Sequence, residues 1–142
     1  MIAPGAGKYK MTFATHTDAV KPGHIVTQTG GSQKTCCWPD AAGDATLGVV
    51  GNLPNNDVDT AYTAGDTVPV YMCGSGAVVW VRFRTSGGAL TAGMFISGGG
   101  ATADGLTIIA VDSATEWNLV GRCTHWHDDI ASESWIQVRL GL

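Results

Sequence analysis

Along this chain, apolar residues recur with the period of a strand far more often than with that of a helix. Ile136, Val138 and Leu140 interleave with Trp135, Gln137 and Arg139, which predicts a closing strand over 134–140 with one apolar face. Val79, Val81 and Phe83 interleave in the same way with Trp80, Arg82 and Arg84. Leu47-Gly48-Val49-Val50-Gly51, Leu106 to Val111 and Asn118 to Cys123 read as further strands. No window carries a helical stripe; 110–117 and 128–133 hold at most one helical turn each.

One phrase opens several of these strands. Lys21-Pro22-Gly23-His24-Ile25-Val26 returns as Thr63-Ala64-Gly65-Asp66-Thr67-Val68 and as Thr91-Ala92-Gly93-Met94-Phe95-Ile96. Its third position is always Gly, which takes the positive φ of a type II turn, and Pro22 suits the corner before it. After the second phrase, Val68 to Cys73 and Ala77 to Arg84 are separated by Gly74-Ser75-Gly76, which predicts a hairpin. Pro69 marks an exposed end of its first arm. Ser97-Gly98-Gly99-Gly100 reads as a loop. Many short strands joined by Gly turns predict an all-β barrel or sandwich.

The first twenty residues stand apart. Tyr9, Met11 and Phe13, separated by Lys10 and Thr12, place three large apolar side chains on one face of an extended segment, and no turn folds it back before Lys21-Pro22-Gly23. The segment is either an arm reaching a neighbour or the first strand of the domain. Residues 1–34 carry Lys8, Lys10, Lys21 and Lys34 against Asp18, a balance of +3, while the rest carries −7. The expected division is therefore an arm over 1–20 and a β-barrel domain over 21–142.

Composition narrows the classes. With 142 residues, 44% hydrophobic and 14% charged, the chain is long enough for one domain with a core of its own, so bulk disorder is excluded. Its 20 glycines follow no three-residue period, and helix-forming charged residues are too few for a coiled coil. A net charge of −4 argues against a nucleic-acid partner. No stretch approaches the ~20 apolar residues that cross a bilayer, and no membrane partner is expected. The start lacks a signal-peptide apolar core, so synthesis in a cytoplasm is expected. In that compartment Cys36, Cys37, Cys73 and Cys123 read as buried small apolar residues rather than two disulfides.

Three constellations carry candidate chemistry. Cys123, His125 and His127 would share one face of a strand and make three zinc ligands, but no second ligand pair follows at zinc-finger spacing, and no metal is expected. Asp59-Thr60-Ala61 resembles the signature of retroviral-type aspartic proteases, in which two close carboxylates share a proton. Leu119-Val120-Gly121-Arg122 resembles a later segment of those enzymes. Asn55-Asn56-Asp57-Val58 departs from the apolar strand expected before such an Asp. No nucleophile elbow, phosphate loop or His-Glu-x-x-His occurs, and neither enzymatic activity nor a cofactor is expected. Of five tryptophans, Trp80 and Trp135 lie opposite apolar strand faces, as outer-face contacts for a partner subunit or a sugar. A carbohydrate-binding module is the alternative on that basis.

The order of these phrases from residue 20 to 142 resembles the head decoration, or capsid cement, proteins of tailed viruses of bacteria and archaea. The matching segments are Lys21 to Val26, Leu47 to Gly51, Thr63 to Val70, Leu90-Thr91-Ala92-Gly93, Leu119 to Cys123 and Ile136 to Leu140. The cysteines, the His125-Trp126-His127 loop and the tryptophan count depart from that family. The resemblance implies a small β-barrel or β-tulip-like domain with an extended N-terminal arm and no catalytic activity. It implies a homotrimeric virion structural protein on the outer capsid surface, bound to the major capsid protein of an expanded shell. On that reading Lys8, Tyr9, Lys10, Met11 and Phe13 are the arm's capsid-binding residues.

Overall fold

The computed structural model describes residues 10–15, 18–28, 34–39, 45–83, 90–98, 108–111, 119–125 and 133–141. Ten strands form within them: β1 (Lys10–Thr15), β2 (Ile25–Gln28), β3 (Thr35–Cys37), β4 (Gly48–Val50), β5 (Thr67–Met72), β6 (Val78–Phe83), β7 (Phe95–Gly98), β8 (Ile108–Val111), β9 (Leu119–Cys123) and β10 (Ser134–Leu140). No helix occurs among the described residues, and the all-β expectation is met.

The first five strands close a barrel in the order β1-β3-β2-β4-β5, with β1 returning antiparallel to β5 and parallel to β3. The last five make an antiparallel sheet in the order β6-β10-β9-β7-β8. Each body has its own core. Phe13, Val26, Cys36, Val50, Val68 and Val70 fill the barrel with Val20 and Tyr62. Val81, Phe83, Ile96, Val120, Ile136, Val138 and Leu140 line the inner face of the sheet. Ile25 and Val49 belong to this second core, whereas their neighbours Val26 and Val50 point into the barrel. Because Ile25 pairs with Val49, the β2/β4 wall is buried on both faces, and its consecutive apolar residues replace alternation.

The recurring turn behaves alike at each site. Gly23, Gly65 and Gly93 have φ of 84°, 92° and 86°. The amide one residue later closes each turn onto the carbonyl three residues back: His24 to Lys21, Asp66 to Thr63 and Met94 to Thr91. A fourth copy, unforeseen, closes Ser75 onto Met72 with Gly74 at φ 85°.

Three expectations change. The link Gly74-Ser75-Gly76 is no hairpin: β5 pairs with β1 and β4, while β6 pairs with β10. After the turn, Gly76 donates to the Leu140 carbonyl and Leu140 to that of Ala77, so the chain is captured by the terminal strand and crosses from barrel to sheet. Ser97 and Gly98 lie in β7 opposite Ile109 and Ile108, which shortens the expected loop. Residues 10–15 are no arm, because β1 is a stave of the barrel with Phe13 buried inside. Residues 1–9, including Lys8 and Tyr9, lie outside the described residues.

Candidate functional site

The sheet and the barrel meet at Arg82. Its position on β6, between Val81 and Phe83, turns its side chain to the outer face, yet only 3% of it is accessible. Loops from the barrel fold over it. Nε donates to the Pro22 carbonyl at 2.8 Å, and one terminal nitrogen donates to Asp59 Oδ1 at 2.7 Å and to the Val58 carbonyl. The other terminal nitrogen pairs with Glu133. The guanidinium lies 4.3 Å from the centroid of the Trp135 ring, which satisfies its π-face as well as its edges.

Gly23 completes the joint. Its amide donates to the Val50 carbonyl of β4 at 2.7 Å, and its own carbonyl accepts from the Arg82 amide at 2.9 Å, so one residue bridges barrel and sheet. A β-carbon at Gly23 would stand 2.4 Å from Trp135 Cζ3, so glycine alone fits both the contact and the positive φ. His24 Nδ1, accepting from Trp38 Nε1 at 3.0 Å and from the Lys21 amide at 3.1 Å, fastens the turn that presents Gly23.

Beside this joint opens a cleft of about 320 Å³, bounded by Val49 and Gly51 of the barrel side, Tyr71 of β5, and Val78, Trp80 and Trp135 of the sheet. Among the described residues no charged side chain lines it, and Asn52 is the one amide side chain that does. Around it Trp80 is 57% exposed, Val78 47% and Val58 41%, which are three of the four large apolar side chains most open to solvent among the described residues. The fourth is Met11, at 51%, on β1.

The expected outer-face pair therefore comes together but splits in role. Trp80 lies opposite Gln137 and Trp135 opposite Arg82, so both indoles occupy one sheet face and border one cleft. Trp80 is open, whereas Trp135 carries the Arg82 guanidinium. Of the expected arm residues, the backbone of Lys10 pairs with Tyr71 and that of Met11 with Val70, inside the barrel wall. Phe13 is buried among barrel side chains and cannot anchor the chain on a partner.

The other constellations are dispersed. Asp59 sits on an exposed turn, where the hydrogen bond from Arg82 holds its carboxyl below the usual range. A protease aspartate shares a proton with a second carboxylate, whereas the partner of Asp59 here is the Arg82 guanidinium. Cys123 is buried and donates to the His125 carbonyl at 2.8 Å, while the exposed His125 ring meets the Thr124 hydroxyl at 2.7 Å, so the two side chains do not converge. His127 lies outside the described residues, among which no metal-holding cluster occurs. None of the four cysteines is disulfide-bonded. Sequence patterning missed Arg82 as the joint, because an arginine alternating with valines reads as a solvated residue.

No protein-family model matches this chain, and no curated protein is detectably similar to it.

Proposed function

We propose that this chain is a non-catalytic virion structural protein that binds the outside of an expanded icosahedral capsid and stabilises it. Its partners are the major capsid protein and further copies of itself in a trimer. The observation that carries the reading is the exposed apolar group Val58, Val78 and Trp80 around a cleft whose described lining is uncharged. Depletion of charge around aromatic side chains is the composition of a protein-binding surface. Two bodies locked through Arg82 and Gly23 offer that surface without ordering it on binding, which lowers the entropic cost of association. The resemblance in phrase order supplies the identity of the partner.

The residues ahead of the barrel keep a part in this reading. Lys8, Tyr9 and Lys10, with the open Met11, form a basic and apolar second contact for an acidic capsid surface. Phe13 has none. The test is co-sedimentation of the full chain with expanded empty capsids: saturable binding is expected, and a protein left wholly in the supernatant overturns the reading.

The open indole of Trp80 supports a second reading, a carbohydrate-binding module. It is weaker, because Trp135 already stacks on Arg82 and a sugar would find few polar side chains among the described residues of the cleft.

A further inference from the structure

The outer edge of β6 specifies how a partner is held. In an antiparallel ladder, bonded and non-bonded pairs alternate. The Leu140 amide donates to the Ala77 carbonyl at 2.8 Å, which makes 77 and 140 a bonded pair. By the same register Val79, Val81 and Phe83 direct their main-chain groups toward β10, and Val78, Trp80 and Arg82 direct theirs away from it. The Arg82 amide follows this rule, since its acceptor is Gly23. The outward groups of Val78 and Trp80 have no backbone partner among the described residues.

Open edges in natural sheets are shielded by charge, proline, bulges or a covering segment. Among the described residues this edge has a cover at Arg82 only. At its other two outward positions stand Val78 and Trp80, apolar and about half exposed, beside the cleft that contains Val49 and Tyr71.

We propose that this edge receives an extended segment of the partner protein by strand addition, with main-chain bonds to Val78 and Trp80 and apolar side chains at alternate positions entering the cleft. Strand groups without a backbone partner among the described residues suit an extended backbone, and a described lining without charge suits uncharged side chains. Gly23 already fills the adjoining rung, so the chain's own backbone shows where an added strand runs. That the partner is the major capsid protein rests on the reading above; the mode of docking does not.

Two variants of the full chain test this. Val78→Pro removes an outward amide without breaking a bond to β10, and Trp80→Lys charges the edge while leaving the backbone intact. Hydrogen exchange and thermal unfolding establish that each remains folded. Wild type bound to expanded capsids is expected to slow exchange at the Val78 and Trp80 amides at least tenfold, and each folded variant to lose at least tenfold in capsid binding. Unchanged exchange at both amides in bound wild type, or full binding by folded Val78→Pro, overturns strand addition while leaving the capsid reading standing. If wild type ignores capsids, the capsid reading fails and the edge is tested with an acetylated hexapeptide of alternating Val and Thr. Slowed exchange in wild type but not in Val78→Pro then supports strand addition; no slowing overturns it. Slowing that grows with protein concentration alone assigns the edge to a second copy of this chain and overturns a heterologous partner.

Discussion

The amide of Arg82 donates to the carbonyl of Gly23 across 2.9 Å, and this bond joins the edge of the five-stranded sheet to the barrel. The same two residues enclose Trp135, Gly23 from one side and the Arg82 guanidinium from another. Stability of the joint and availability of the cleft beside it are therefore coupled. A change that opens the joint displaces Trp80 and Tyr71 relative to each other, since they lie on opposite walls of that cleft.

Gly23→Ala is expected to destabilise the protein more than Gly65→Ala. Both glycines have positive φ, so each substitution costs about 1–2 kcal/mol in backbone conformation. At Gly65 the new methyl meets nothing within 4 Å, whereas at Gly23 it meets the Trp135 ring. Urea midpoints at constant m-value compare the two, and equal losses contradict the packing at Gly23.

Arg82→Lys is not a conservative change here. Lysine reaches neither the bidentate spread nor the flat stack on Trp135, and it leaves the Pro22 or Val58 carbonyl without its donor. A loss of about 1–3 kcal/mol is expected from one unsatisfied acceptor. Thermal unfolding measures it, and an altered Trp emission spectrum accompanies it.

Acid weakens the joint. The carboxyl of Asp59 is lowered chiefly by its hydrogen bond from Arg82, opposed by desolvation and aided by the charges of Arg82 and Lys21. A group depressed in the folded state contributes stability that is present above its unfolded value of about 4 and lost as pH falls through the folded value. The thermal midpoint of wild type is thus expected to drop more steeply below about pH 4 than that of Asp59→Asn. Parallel pH profiles contradict the pairing.

The thiols resist alkylation. Burial pushes Cys73 up to about 12, and burial with the nearby Cys37 and Asp18 pushes Cys36 up to about 11. At pH 8 neither holds an appreciable thiolate fraction. Iodoacetamide followed by mass spectrometry is expected to leave Cys36 and Cys73 unmodified in the native protein and to label all four cysteines after denaturation. Rapid native labelling at Cys36 contradicts its burial.

Local chemistry was the legible part of the sequence. Gly23, Gly65 and Gly93 marked their turns because position three of each phrase needs a positive φ, and β10 was visible because its alternation runs unbroken from Ser134 to Leu140. Relations between distant segments were not legible. A short Gly link reads the same whether strands fold back on each other or pass between sheets, so Gly74 to Gly76 was mistaken for a hairpin. β3 spans only Thr35 to Cys37, too short for a periodic signal. Phe13 and Arg82 were misplaced for a common reason. Burial of the first depends on β5 and β3 closing the barrel around β1, and burial of the second on loops arriving from residues 22 and 58–59. Trp80 and Trp135 read as lying opposite the apolar faces of their strands, but that they border one cleft, with one indole open and the other stacked, emerges only from the structure.

Capsid binding is tested most directly by electron cryo-microscopy of expanded shells incubated with the full chain. Extra density repeated on the outer surface is expected, into which the barrel and sheet fit with Trp80 turned toward the shell. Shells that remain bare at saturating protein contradict it.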